Sequence, residues 1–294
     1  MKKNDFAIFI LSHGRANNQR TIDTLKRLKY SGKLYIVLDN EDEQEAEYKR
    51  LYGEQNIIIF DKAEEMKHTD VMNNFQNHKL VVYARNKVNE IAKNLGLKYY
   101  LVLDDDYTAC LYRFTDGQTL SSKRTTNFWD LCNLMIKWLE SSPRMKCVAF
   151  AQGGDLLGGA TNDNFIRGWK RKVMNTFFCS VDKPLEFMGE INEDANMYCV
   201  AGNRGDLFYS TCRVIITQLE TQSNSGGLTD IYLQQGTYVK SFYTVMCCPS
   251  FVKVRILNSV HARIHHGINT EYGFPKIIRE EYKKKGTSKK VARV

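Results

Sequence analysis

No two of the eight cysteines (Cys110, Cys132, Cys147, Cys179, Cys199, Cys212, Cys247 and Cys248) stand in C-x-x-C spacing, which excludes a zinc ribbon and a disulfide framework. Several lie inside apolar stretches such as Lys146-Cys147-Val148-Ala149-Phe150, where a thiol serves as a small buried hydrophobe. Proline is scarce at 4 and glycine ordinary at 19, so collagen-like and low-complexity classes are excluded. Near the N-terminus the longest apolar run, Phe6–Leu11, is six residues and meets the polar Ser12-His13-Gly14-Arg15 at once. That is too short for a signal-peptide core or a membrane span and predicts an intracellular chain without a membrane partner. The loop Gln152–Gly159 is glycine-rich, but no Gly-Lys-Ser/Thr follows, so it is expected to be flexible and not to cradle phosphate. There is no His-Glu-x-x-His, no internal repeat and no linker.

What is present is a composition of 43% hydrophobic, 12% aromatic and 26% charged residues over 294 positions, enough to bury a sizeable core. The net charge of +9 is unevenly spread: Lys253 to Val294 holds eleven Lys/Arg and three Glu, and so carries +8. A nearly neutral body with a basic end suggests a local polyanion contact, the plain alternative being a solvated tail at Lys283-Lys284-Lys285 and Lys289-Lys290.

The first 110 residues alternate strand and helix signals. Phe6–Leu11, Leu34–Leu38, Ile57–Phe60 and Tyr99–Leu103 read as buried strands. Between them Ile22, Leu25 and Leu28 recur at helical spacing, Glu41–Tyr52 favours helix, and Ala84, Val88, Ile91, Ala92 and Leu95 form one helical face closed by Gly96. Strands alternating with helices imply parallel pairing, hence an α/β Rossmann-like sheet. In the second half Phe128, Leu131, Met135, Trp138 and Leu139 mark a helix. Short β-rich runs follow at Cys147–Ala151, Thr176–Val181, Leu207–Tyr209, Ser241–Met246 and Phe251–Ile256.

Asp104-Asp105-Asp106 ends the fourth strand, and in parallel α/β sheets ligands bind outside the carboxyl ends of strands. Three adjacent carboxylates repel one another unless a cation or donors lie near, and their oxygens suit Mg²⁺ or Mn²⁺. A solvated turn is the plain alternative. The spacing Asp104-x-Asp106-x-Thr108 also fits the nucleophile loop of haloacid-dehalogenase-type phosphatases, although that loop follows a first strand and three strands precede this one. Ser12 and Arg15 after the first strand, Asp39 after the second, and Arg85-Asn86 on the helix before the aspartates should converge on one sheet edge. A second acidic group, Glu190, Glu193 and Asp194, offers a general base separate from the metal ligands, or a polar turn opening a helix. His261, His265 and His266 could supply a metal ligand, contact phosphate or lie on the surface.

The segments Phe6–Arg15 (FAIFILSHGR), Tyr35–Asp42 (YIVLDNED), Leu101–Tyr107 (LVLDDDY), Arg171–Phe178 (RKVMNTFF), Gly189–Asn196 (GEINEDAN) and His265–Asn269 (HHGIN) are similar to the TET-associated glycosyltransferase family of bacteriophages. The resemblance spans about residues 5 to 280. It implies a GT-A-like, Rossmann-type nucleotide-sugar-binding half over 1–110, a β-rich acceptor and catalytic half over 111–280, and a basic tail over 281–294. It further implies a phage-encoded enzyme of the host cytoplasm, which transfers a sugar from a nucleotide-sugar, such as a UDP-sugar, to a 5-hydroxymethylpyrimidine in DNA and so masks it from host nucleases. On that reading Asp106 binds Mn²⁺ or Mg²⁺ with Asp104 and one of His265 and His266. Ser12, Arg15, Asp39, Arg85, Asn86 and Asp104 hold the donor, and Asp194, or failing it Glu193, takes the acceptor proton. DNA would meet the tail lysines Lys283, Lys284 and Lys285 and the basic-aromatic stretch Arg167, Trp169, Lys170, Arg171, which could instead be a charged hairpin. Two other functions share these features: the same transfer to a protein or saccharide, and a silent DNA-binding module that keeps the fold.

Overall fold

The structure, a computed structural model, describes residues 1–75, 77–156, 158–218, 229–258 and 262–276. The lysines Lys283, Lys284 and Lys285, together with His261, lie outside the described residues.

The first half follows the expected alternation. Strands β1 (Phe6–Leu11), β2 (Lys33–Asp39), β3 (Ile57–Phe60) and β4 (Tyr99–Asp104) are separated by helices α1 (Arg20–Arg27), α2 (Glu45–Tyr52), α3 (Lys62–Met66) and α4 (Val81–Asn94). All four strands pair in parallel in the order β3-β2-β1-β4. Their carboxyl ends, Leu11, Asp39, Phe60 and Asp104, therefore lie along one edge. The chain then adds β5 (Tyr107–Thr115), β6 (Leu120–Arg124), α5 (Phe128–Leu139), β7 (Met145–Gln152), α6 (Asp163–Arg167), β8 (Trp169–Lys170) and β9 (Phe177–Ser180). It continues with α7 (Glu193–Asn203), β10 (Leu207–Gln218), α8 (Thr229–Cys247), β11 (Val252–Asn258), β12 (Ala262–Ile268) and α9 (Thr270–Gly273). Strand β9 lies between β4 and β7 and runs antiparallel to both. The sheet extends through β10, β5 and β6, with β8 on β10, so strands from both halves share one ten-stranded sheet. Hairpin β11–β12 stands apart from it.

The sheet has two buried faces, and β1 shows why an unbroken apolar run is needed there. Ala7, Phe9 and Leu11 join a cluster with α4 and α7, while Phe6, Ile8 and Ile10 join one with α1, α2 and α5. Seven of the eight cysteines are buried and all are free thiols, as their apolar settings suggest.

Three expectations change. Ser241–Met246 is not a strand but the last turns of α8: its buried residues Ser241, Tyr243 and Thr244 do not alternate as a strand's would, and tertiary burial overrides local β-propensity. Within the loop Gln152–Gly159, expected to be flexible, Gly153–Leu156 forms a 3-10 turn around Asp155, which accepts from Lys170, Lys172 and the Gln152 N–H. The run Leu207–Tyr209 extends to Gln218 through pairing with β7 and β5. No helix among the described residues is long and apolar enough to cross a membrane.

Phe178, fully buried on β9, packs edge-on against Phe150 at 5.0 Å, whereas Leu134 on α5 is 61% exposed. Phe178→Ala should cost about 3–5 kcal/mol, and Leu134→Ala only a few tenths. Comparing urea midpoints checks both.

Candidate active site

The aspartate turn is stapled by Thr21 in the first turn of α1. Its hydroxyl donates to the Asp104 carbonyl at 2.5 Å and accepts the Tyr107 N–H at 3.0 Å, while its own N–H meets the Asp105 carbonyl at 3.0 Å. With the backbone so held, the three neighbours take different positions. Asp105 turns inward and is 3% exposed, accepting from Ser12 Oγ at 2.6 Å and Arg15 Nη1 at 2.9 Å. Burial outweighs those donors and raises its carboxyl. Asp104 lies at the strand end, accepting from Arg85 Nη2 and the Tyr107 hydroxyl, both at 3.3 Å. Asp106 is the exception: its Oδ1 is buried without a hydrogen-bond partner. Burial, then the charges of Asp104 and Asp105, push its carboxyl up to about 7.

A buried carboxylate oxygen without a donor costs free energy, and a divalent cation is the group that removes the cost while offsetting the like charges beside it. Asp106 and Asp104 thus fit Mg²⁺ or Mn²⁺. Among the described residues no three His, Cys, Asp or Glu side chains converge as a metal site. A cation here would take its remaining oxygens from water or a ligand, and the expectation that His265 or His266 completes the set is not met. The reason lies in the hairpin, which carries His266 to the start of α7, where its Nδ1 lies 3.3 Å from Asn192 Nδ2. Burial, reinforced by His265, Lys240 and Lys172, lowers His266 to about 3, so it is neutral and accepts through Nδ1.

The second acidic group meets the first through Arg85. This buried guanidinium donates through Nη1 to Glu193 Oε1 and through Nη2 to Asp104, and lies over the rings of Phe177 and Phe187. Glu193 and Asp194 open α7, where carboxylates complement the helix N-terminus. Burial and the Asp194 charge raise Glu193 against the pull of Arg85. The approach to α7 is fixed by Glu190, which accepts from Asn73 Nδ2 at 2.5 Å, Asn77 Nδ2 at 3.0 Å and the Tyr243 hydroxyl at 3.1 Å. Asn192 takes a left-handed φ of 57° and donates to the Lys240 carbonyl at 2.6 Å.

The other expected residues have partners within the chain. Ser12 is closed within a network of Asp105, Tyr48 and Gln19. Asn86 spends its amide on the backbone of Phe187, giving at 3.0 Å and accepting at 2.8 Å, so it braces the loop before α7 and does not face a donor. Asp39 lies between His13 at 2.8 Å and the buried Lys62 at 2.7 Å. Burial alone would raise its carboxyl, but those donors outweigh it and hold it below the usual range. The same contact raises His13. In the basic-aromatic stretch, Lys170 pairs with Asp155 at 2.8 Å, Arg171 lies over Phe274, and Arg167 lies over Trp169. The stretch is the end of α6 and strand β8 on β10, not a hairpin, and Asp155 holds Lys170, which the sequence marked for DNA. Sequence reading missed Lys62, Asn192 and Tyr107; the last stands directly after the aspartates, while Lys62 has no local signal linking it to Asp39.

The model of the family described as TET-Associated Glycosyltransferase matches residues 6–227. No curated protein matches the sequence. Among solved structures, glucosyl-3-phosphoglycerate synthase from Mycobacterium tuberculosis in complex with Mg²⁺ and uridine-diphosphate is similar at TM-score 0.44 and 10% identity, with 90% of this chain and 87% of that chain covered. The same enzyme with Mn²⁺, uridine-diphosphate and phosphoglyceric acid gives TM-score 0.41 and 9% identity, covering 90% and 86%.

Two measurements follow from this geometry. Arg85→Met strands two carboxylates and should cost about 3–5 kcal/mol, much of it recovered in Arg85→Met/Glu193→Met; a double-mutant cycle of unfolding free energies checks this. Because folding raises the Asp106 carboxyl from 3.8 to about 7, the metal-free native state binds the extra proton in that window. Stability should therefore fall as pH climbs from about 4 to about 7, less steeply in Asp106→Asn. Mn²⁺ should raise the melting temperature of the parent at pH 8 and leave Asp106→Asn unmoved.

Proposed function

The chain belongs to the TET-associated glycosyltransferase family and is a glycosyltransferase, and from that premise we propose that it moves a sugar from a nucleotide-sugar, a UDP-sugar, to the hydroxymethyl group of a modified pyrimidine in phage DNA. The observation that carries this reading is the partnerless buried oxygen of Asp106, at the carboxyl edge of the parallel strands and joined through Asp104, Arg85 and Glu193 to Asp194. Asp104 and Asp106 would hold Mn²⁺ or Mg²⁺. When bound, the ion supplies positive charge to the donor diphosphate and to the charge that grows on it as it leaves.

The remaining roles fall to the chain. Glu193 is committed to Arg85, and Asp194 beside it is the base. The acceptor hydroxyl oxygen bonds to the anomeric carbon, the bond from that carbon to the diphosphate breaks, and the hydroxyl proton passes to Asp194. Nucleoside diphosphate leaves as the second product. Asp39, charged between Lys62 and His13, accepts from the nucleoside; Arg15, with its guanidinium at the same edge, takes phosphate oxygens. The bulk of DNA requires the target base to leave its stack to reach such an edge.

The test is incubation with a panel of nucleotide-sugars and hydroxymethylated DNA, followed by mass spectrometry of digested nucleosides. The parent should add one sugar to the modified base. Asp106→Ala should abolish transfer and donor hydrolysis while DNA binding stays within a few-fold. Asp194→Asn should lower kcat by about 10²–10⁴ with little change in donor KM. Normal turnover by Asp106→Ala removes the metal assignment, and transfer to protein or saccharide alone removes DNA as acceptor.

A further inference from the structure

Three elements build a relay at the carboxyl edge of β1 and β2. Lys62 of α3 is buried, with its Nζ 2.7 Å from Asp39 Oδ1 and 3.1 Å from Glu41 Oε2. Its backbone N–H donates to Asn40 Oδ1 at 3.0 Å, so α3 starts against the end of β2. Asp39 Oδ1 also takes the Glu41 N–H at 3.1 Å, while Oδ2 meets His13 Nδ1 at 2.8 Å. Asp42, its side chain wholly buried, accepts the Gly14 N–H at 2.8 Å and lies 3.9 Å from His13 Nδ1. The imidazole is thus fixed at one nitrogen, yet its side chain is 50% exposed. Its other nitrogen, Nε2, has no partner among the described residues.

A carboxylate on Nδ1 sets the orientation of a histidine ring and turns Nε2 outward. The charged groups acting on this ring are Asp39 and Asp42 beyond it and Lys62 of α3. The bond to Asp39 favours the imidazolium most; burial and Lys62 oppose it, and the balance is upward. An imidazolium donates from both nitrogens, so with Nδ1–H spent on Asp39 the outward group is a charged N–H donor. Its place on the edge says what it meets. Strand β1 lies between β2 and β4; Ser12 bonds to Asp105 on the β4 side, and His13 next to it bonds to Asp39 on the β2 side. A donor whose diphosphate stands at Asp104 and Asp106 therefore extends its nucleoside past His13. We propose that His13 donates from Nε2 to an oxygen of the donor nucleoside, a base carbonyl or a ribose hydroxyl, and that Asp39 and Lys62 position it. This rests on the donor reading above and deepens it, since it adds the donating group of the nucleoside end and gives donor capture a pH dependence. A ligand that takes the protonated ring binds best at low pH and weakens as the pH rises through the titration of His13.

The experiment titrates the parent, His13→Ala, His13→Gln and Lys62→Met with UDP and with inorganic pyrophosphate, each in Mn²⁺, by calorimetry from pH 6 to pH 8.5. The phosphates and the metal-binding aspartates titrate alike in parent and variant, so the ratio of the two affinities reads His13 alone. At pH 6 His13→Ala should bind UDP about tenfold or more weakly and pyrophosphate as the parent does. The loss should shrink towards pH 8.5. His13→Gln, which keeps a neutral donor, should bind UDP more tightly than His13→Ala by a factor that does not change with pH. Lys62→Met should weaken UDP binding and move the fall in affinity to higher pH, because the lysine charge that opposes the imidazolium is gone; a merely structural lysine would not move it. Disappearance of the His13→Ala effect with CDP, which lacks the uracil O4 carbonyl, or with 2′-deoxy-UDP upholds the contact and names the oxygen. UDP affinity equal in parent and His13→Ala at pH 6, a ratio that grows with pH, or an equal loss with pyrophosphate overturns the proposal while UDP binding by the parent leaves the donor reading standing. A parent that binds no nucleoside diphosphate overturns both.

Discussion

Arg85 holds the site together. Its guanidinium is buried on α4 between Glu193, at the start of α7, and Asp104, at the end of β4. Glu193 is buried there and needs the arginine, and a buried arginine without its carboxylates would cost several kcal/mol. The flat rings of Phe177 and Phe187 enclose it, so the charge is shared with two acids and with little water. The interaction fixes where the carboxyl end of the sheet stands relative to α7. On the proposed reading the chemistry depends on that spacing, because it sets Asp104 and the aspartates beside it against the start of α7.

The three consecutive aspartates show how one backbone turn divides labour. Asp105 is structural, tied to Ser12 and Arg15 and through Ser12 to Tyr48 and Gln19. Asp104 is shared between the arginine and the Tyr107 hydroxyl. Asp106 alone is left with an unmet oxygen, and its raised carboxyl measures the cost of leaving it so. Such a site is unfavourable by itself, and a bound cation would lower its cost. Glu190, held by two asparagines and a tyrosine, fixes the entry to α7, which Glu193 and Asp194 open.

Much of this was legible in the residues. The run Phe6–Leu11 is apolar at every position because both faces of β1 are covered, and the aspartates stand out because a strand that apolar ends in three charges. Other readings failed for reasons of contact. Ser241–Met246 is rich in β-forming residues, yet the tertiary burial of Ser241, Tyr243 and Thr244 decided its form. Asn86 and Ser12 lie at the expected edge but spend their polar atoms on Phe187 and Asp105. Lys170 sits in a basic stretch, and only the fold brings Asp155 beneath it.

The linear chain by itself determined the alternation of strands and helices, the position of the acidic turn at a strand end, and the concentration of positive charge after Lys253, since periodicity and composition are local properties. Tertiary structure alone decided which carboxylate is paired and which has a bare oxygen. It also turned two aromatic rings of α8 outward, and it sent His266 to Asn192 instead of the aspartates. Those outcomes depend on distances between residues far apart in the chain, and electrostatic and hydrogen-bonding energies are functions of distance and burial, which no stretch of sequence contains.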